Sequence, residues 1–401
     1  LEPSDGSGLI EAALQGAAEA AEILHEARRP LLYLGAGAAG ASDLVERLAE
    51  RLESPVSTTF QGKGVFPETH PLWLWPGFGD AAPGFVRGVA SSCDATLAIG
   101  CRFSEVGTGS YGLEPPQPLV HVDLDPEVPG RNYPARLGVH AEARAFVEAL
   151  LDALGGHGPG PDLSLRVAIR NGHESVWNNW LAAGSGPGVR PAHLLKALQD
   201  GLPPDTIYTT DSGNGTFLAM ECLRLSAPGR FLAPVDFSCM GYAVPAALGA
   251  KLGAPETPVV ALAGDGAFLM TGLELLTAAR EGLGVIVLVL RDRELAQIAQ
   301  FQGTALGRKV ASRVPDYDLE GFAAGLGVEF LRLTDDEEID DVVGRASSIA
   351  ESERPVLLET SIDYSRRTYF TRGVVKTNLL RLPLRDRARF VGRALVRRLT
   401  G

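Results

Sequence analysis

The chain has 401 residues, of which 45% are hydrophobic and 21% charged, with a formal net charge of −12. That length accommodates two or three domains of roughly 150 residues each. The composition is that of an ordinary soluble globular protein, and the negative balance argues against a general nucleic-acid binder.

Ala12 to Ala27 reads as a helix, and "PLLYLGAGAAG" as a short apolar strand running into a glycine turn. "SDLVERLAERL" is an amphipathic helix, while "PVSTTF", "DATLAIGCRF" and "PLVHVDLD" have strand length and character. Strands alternating with helices imply βαβ units around a parallel sheet. Gly- and Pro-rich breaks at "GGHGPGPD" and "GSGPGVRP" bracket a segment holding Trp177 and Trp180, read as a helical connector. Alternation then resumes. "HLLKALQDGL" is a helix and "TIYTTD" a strand. "GYAVPAALGAKLG" is a small-residue helix, "PVVALAGD" a buried strand and "GLELLTAAREGL" a helix. "VIVLVLRD" and "PVLLETSID" are further strands. The expected fold is therefore α/β, with two doubly wound parallel-sheet domains at 1–155 and 191–401 joined by a linker at 156–190.

Cys93, Cys101, Cys222 and Cys239 show no CxxC spacing, which points to reduced cytosolic thiols and a cytoplasmic protein. No apolar run is long enough to span a bilayer, so neither a membrane nor a nucleic acid is an expected partner. From Ser365 onward the chain is rich in arginine, including Arg366, Arg389, Arg393, Arg397 and Arg398; this tail reads as a basic helix docked on an acidic body. The first residue is Leu1, not Met, and the expectation is a trimmed segment of a longer protein.

The most informative stretch is "VVALAGDGAFLMTGLELLTAAREGLGVIVLVLRDRELAQI" (259–298). Two continuous apolar runs suit central strands of a parallel sheet. Each ends in an acidic residue, Asp265 and Asp292. Ligands of open α/β sheets bind at the carboxyl ends of strands. A crossover helix near Leu273–Leu283 makes the strands neighbours, so both carboxylates enter one crevice. Gly264 and Gly266 let the backbone approach a ligand closely. Carboxylates beside a helix start suggest a divalent cation bridging to a diphosphate, and magnesium suits such mixed oxygen sites.

This stretch resembles the thiamine-diphosphate motif, and the chain is similar to acetolactate-synthase-like enzymes of that family. "TTDSGNGTFLA", "FSCMGYAVPAALGA", "TTFQGKGVFPETHPL", "AIGCRFSEV" and "HVDLDP" match in order. The resemblance implies magnesium held by Asp265, Asp292 and the backbone carbonyl of Glu294. Asp292 stands where the family has the second residue of an Asn pair, and Arg291 where it has the first. Ser212, Gly213, Asn214, Gly215, Gly264, Gly266 and Ala267 would contact the diphosphate. Met240 would support the bent cofactor, with the Ser238 and Met240 backbones bonding its aminopyrimidine. Ile298 would also line the cofactor site, and Gln297 and Phe301 the substrate pocket.

The resemblance covers the family's central and diphosphate-binding domains. The pyrimidine-binding domain, which supplies the activating glutamate, has no counterpart here, so no catalytic residue is assigned. It would come from the same full-length protein or from another polypeptide, and the small residues Ala243, Ala246, Ala247, Gly249 and Ala250 would meet a partner helix in an oligomer. The implied activity is decarboxylation of a 2-oxo acid with carboligation to a second carbonyl compound. Simple decarboxylation and glyoxylate carboligation are alternatives. "GAGAAG" (Gly35–Gly40) fits GxGxxG after a strand, which keeps a NAD- or FAD-binding oxidoreductase as a rival. No acidic residue follows in "PVSTTFQG", and Ser104 and Val106 replace the Asp and Arg of FAD-binding relatives, which weighs against FAD. A non-catalytic cofactor-binding fragment is the remaining reading.

Overall fold

The computed structural model describes residues 6–385 and 387, except 157, 183, 185 and 307. The chain divides into two compact units, Leu1–Trp177 with Arg224–Gly229, and Asn178–Leu223 with Arg230–Gly401. Each is built on a six-stranded, wholly parallel sheet with flanking helices, the doubly wound architecture expected from the alternation.

In the first unit the strands are β1 (Pro30–Leu34), β2 (Val56–Thr58), β3 (Trp73–Pro76), β4 (Ala95–Ile99), β5 (Leu119–Asp123) and β6 (Leu137–His140). Their order is β3-β2-β1-β4-β5-β6, with the topological switch between β1 and β4. Helix α1 (Gly6–Glu26) precedes β1, α2 (Ser42–Leu52) joins β1 to β2, α3 (Gly84–Ser91) lies between β3 and β4, and α4 (Ala143–Leu154) follows β6. On α2, Leu44, Val45, Leu48, Ala49 and Leu52 are buried, which is the stripe of a helix lying on a sheet. The glycine turn after β1 is a short 3-10 helix, Ala36–Ala41. A Cβ on Gly35 would stand 2.0 Å from the Gly100 carbonyl oxygen, so the loops after β1 and β4 need a glycine there simply to pass each other. The helical connector is α5 (Leu163–Ala182).

The second unit holds α6 (Pro191–Gly201), β7 (Ile207–Thr210), α7 (Asn214–Cys222), β8 (Phe231–Leu232), α8 (Ala243–Gly253), β9 (Val259–Gly264), α9 (Asp265–Thr271), α10 (Leu275–Glu281) and β10 (Ile286–Arg291). It continues through α11 (Ala296–Leu306), α12 (Leu319–Leu326), β11 (Glu329–Leu333), α13 (Ile339–Glu351), β12 (Val356–Ser361) and α14 (Tyr369–Arg381). The order is β11-β12-β10-β9-β7-β8. The apolar runs β9 and β10 are central and pair in parallel, Val289 opposite Ala263 and Leu290 opposite Gly264. The crossover between them differs from a single helix over 273–283. It starts at Asp265 and breaks into a 3-10 turn at Gly272–Glu274. Phe268 packs where a Cβ on Gly272 would lie, at 2.6 Å, and this close approach marks the break.

The small-residue helix α8 also departs from expectation. Ala243 and Ala247 are buried in their own domain core beside Val259 and Ala261, so they are not available to a partner helix. Its outward face is Pro245, Gly249 and Leu252, with Ala246 and Ala250 half-buried. Of the arginine-rich tail, Arg389, Arg393, Arg397 and Arg398 lie outside the described residues. No described helix is long and apolar enough to cross a membrane, and the four cysteines are free thiols.

Candidate functional site

The carboxyl ends of β7, β9 and β10 open into one crevice, beside the switch point between β7 and β9. It is lined by Ser212, Gly213, Asn214 and Gly215 after β7, by Gly264, Asp265, Gly266 and Ala267 after β9, and by Asp292, Glu294, Gln297 and Ile298 after β10. Met240 closes one side. Most of the residues marked in the sequence are thus brought together. Ser238 is not in the lining; it sits on an exposed run in a left-handed conformation with φ 54°. Phe301 falls on α11, and its side chain lies outside the described set.

Asp265 is buried and opens α9. Its Oδ1 accepts from the Gly266 N–H at 2.7 Å, and its Oδ2 accepts from the Arg293 N–H at 2.7 Å. The two acidic turns are therefore tied directly. Burial raises the Asp265 carboxyl above its ordinary range, opposed by those N–H bonds. Asp292 is pushed up to about 7, first by burial and then by the Asp265 charge. Two carboxylates crowded in one crevice favour a cation between them. Among the described residues no cluster of three or more His, Cys, Asp and Glu forms. A cation here would take two carboxylates and complete its shell with backbone, phosphate or water oxygens, which suits magnesium. The Glu294 carboxylate pairs with Lys309 at 2.7 Å, leaving the backbone carbonyl as that residue's candidate donor.

Opposite, α7 starts at Asn214 after Gly213, whose φ is 143° and which supplies no side-chain cap. First-turn N–H groups left without a side-chain cap suit an anion. The Asn214 Oδ1 is buried and makes no hydrogen bond, so the turn carries a polar atom awaiting a partner. Gly266 lies under Leu295, where a Cβ would come within 2.5 Å. The N–H donors at the start of α7 fit a phosphate and the two carboxylates fit a cation, while the unpaired Asn214 Oδ1, an acceptor, suits a metal or a metal-bound water.

Three contributors escape the motif. Asp211 is buried and accepts from Ser212, Gly241 and Ala243 N–H groups at 2.9, 2.8 and 3.0 Å. It caps α8 remotely and joins the loops that carry Asn214 and Met240. Its acidity gives a signal in "TTDSGNG", but its partners are distant in sequence. Tyr364, after β12, lines the crevice; burial and the charges of Asp292 and Asp265 raise its phenol. Tyr317 donates to the Asp265 carbonyl oxygen at 3.0 Å. Nothing local marks either tyrosine.

Comparison with known proteins agrees with this geometry. Residues 17–150 match the description "Thiamine pyrophosphate enzyme, central domain", and residues 211–360 match "Thiamine pyrophosphate enzyme, C-terminal TPP binding domain". The chain belongs to the thiamine pyrophosphate enzyme family. It is 30% identical over 368 residues to a probable acetolactate synthase large subunit of Methanocaldococcus jannaschii, covering 86% of this chain and 59% of that protein. It is 31% identical over 357 residues to an acetolactate synthase of Mycobacterium avium, covering 85% and 56%. A sulfoacetaldehyde acetyltransferase of Rhodobacter capsulatus is 29% identical over 395 residues, covering 89% and 66%. The chain thus spans less than two thirds of the length of the first curated relatives it matches.

Proposed function

We propose that this chain is the cofactor-holding part of a thiamine-diphosphate- and magnesium-dependent enzyme. The reaction is decarboxylation of a 2-oxo acid with carboligation to a second carbonyl compound, as in acetolactate synthase. The observation that carries the reading is the pair Asp265 and Asp292 on adjacent strand ends, facing the turn that bears Asn214.

In this reading the two aspartates and the Glu294 carbonyl hold magnesium. The N–H groups at the start of α7 and the turn at Gly264–Ala267 would hold the diphosphate, with Asn214 beside them. Met240, which lines the crevice, would support the cofactor, and the backbones of Ser238 and Met240 would bond its aminopyrimidine. Gln297, Ile298 and Phe301 border the substrate. When bound, the cofactor supplies the electron sink that decarboxylation requires. The cavity measures about 100 Å³, well below the ~300 Å³ or more of pockets that enclose a whole small molecule. The crevice therefore accounts for one end of the ligand, and a pyrimidine-binding domain covers the other.

Exposed apolar side chains support that cover. Phe237 is 91% exposed, and Met270 and Leu273 are 60% and 68% exposed. Gly241 abuts Met270, which places the Met240 loop beside this patch. A pyrimidine-binding domain, from this protein or from another subunit of an oligomer, would cover it. The test is calorimetric titration with thiamine diphosphate, with and without magnesium, then carbon dioxide release from pyruvate after a separately produced pyrimidine-binding domain is added. Cofactor binding indifferent to magnesium, or none at all, would overturn the reading.

A further inference from the structure

Arg291 stands where the resemblance places an Asn, yet it faces away from the crevice into a polar network. Its side chain is 8% exposed. It pairs with Glu359 at 2.6 Å and with Asp316, donates to the Tyr317 carbonyl at 3.0 Å, and lies 4.8 Å from the Tyr317 ring centre. Three of these contacts fall on one stretch, residues 312–317, which runs back across the acidic turns. The Leu295 N–H donates to the Ser312 carbonyl at 2.8 Å, and the Val314 N–H to the Arg293 carbonyl at 2.9 Å. Glu294 and Arg313 form an antiparallel bridge. Val314 also comes within 3.2 Å of where a Gly266 Cβ would be, and Tyr317 bonds the Asp265 carbonyl. The stretch therefore touches both turns that carry the candidate metal ligands, and Arg291 pins its far end.

We infer that residues 312–317 form a strap that sets the spacing between the Asp265 turn and the Asp292–Glu294 turn, and that Arg291 and Tyr317 are positioning residues for the cation. The inference rests on the cofactor reading given above. The strap orients oxygen donors without touching the metal, and outer-shell groups of this kind tune affinity through the ligands they hold.

The experiment is a magnesium titration of the full chain at fixed thiamine diphosphate, followed by intrinsic fluorescence, for the wild type and three variants. Arg291→Met should weaken apparent magnesium affinity about tenfold. Tyr317→Phe removes one hydroxyl, keeps the ring, and should weaken it about threefold. Arg332→Met removes the other cation on Glu359, bound at 2.8 Å, without touching the strap, and should titrate like the wild type. In Arg291→Met, hydrogen exchange at the Arg293 and Val314 amides should accelerate. Should Arg291→Met fail to fold, the Tyr317→Phe and Arg332→Met pair decides. A wild type that takes up no magnesium with thiamine diphosphate would overturn both the cofactor reading and this one. Wild-type uptake with unchanged titrations in Arg291→Met and Tyr317→Phe, or an equal loss in Arg332→Met, would overturn the strap alone.

Discussion

Replacing Glu221 with Gln should stabilise the chain at alkaline pH and leave it nearly unchanged at acidic pH. Glu221 lies on α7, whose other end forms the turn at Gly213–Asn214 proposed above to hold an anion, and it is 3% exposed. Its Oε1 accepts from the Phe370 N–H at 3.1 Å, fastening the first turn of α14, and Phe217 packs against Phe370 at a tilt, ring centres 4.2 Å apart. Burial pushes the carboxyl from an ordinary 4.5 up to about 7, against the pull of the Phe370 and Tyr369 N–H groups and of Arg372. The folded state therefore keeps a proton that the unfolded chain releases between these values. Stability contributed by this group is full below 4.5, falls as pH rises toward 7, and is flat above. At about 1.4 kcal/mol per pH decade, the wild type loses about 3 kcal/mol across that window. Gln cannot ionise, so the loss disappears. Urea denaturation of both proteins at pH 5 and pH 8 measures it, as the difference between the two pH values cancels every other titrating group. A variant less stable than wild type at pH 8, or offset equally at both pH values, would refute the reasoning. It would mean that the N–H groups and Arg372 hold the carboxylate ionised despite burial.

Asp265→Ala should abolish magnesium-dependent binding of thiamine diphosphate, whereas Asp292→Asn, which keeps an oxygen ligand, should retain it; calorimetry on both reads the outcome. With burial and the Asp265 charge pushing the Asp292 carboxyl up to about 7, magnesium uptake by the wild type should weaken about tenfold from pH 8 to pH 6. The same titration on Asp292→Asn should be flatter, since the group that must lose a proton is gone. Asp211→Ala strands three N–H donors and should cost about 3 kcal/mol in denaturant unfolding. Hydrogen exchange at the Gly241 and Ala243 amides should quicken; unchanged exchange would show that Asp211 does not join the two loops.

Local pattern encodes the central strands. Continuous burial of β9 and β10 is written in their Val, Leu and Ile runs, and a parallel pairing sends both acidic ends the same way. β3, β6, β8 and β11 leave no such mark: β3 and β6 have four residues and β8 two, and β11 mixes exposed, half-buried and buried positions without strict alternation. A strand of that length carries too few side chains to show a period. The break in the crossover was equally hidden, because it lies where Phe268 occupies the space beside Gly272. In the first unit, "FQGKGVFPE" conceals an ion pair between Lys63 and Glu68 at 2.7 Å, with both side chains fully buried. No residue type announces that it will be removed from water with its partner.

Arg291 shows why substitution against a family pattern is a poor guide by itself. Read along the chain, an Arg beside Asp292 looks like a damaged ligand set. Successive residues at the end of a strand point to opposite sides of the sheet. Asp292 lines the crevice, while Arg291 reaches Glu359 on β12 and the Tyr317 carbonyl beyond it. A buried guanidinium needs its charge met and its donors used, and Glu359, Asp316 and Tyr317 do both. The replacement therefore acts on the face behind the candidate ligands rather than among them. Its partners come from segments that the motif does not contain, so only the folded arrangement joins them to the two aspartates.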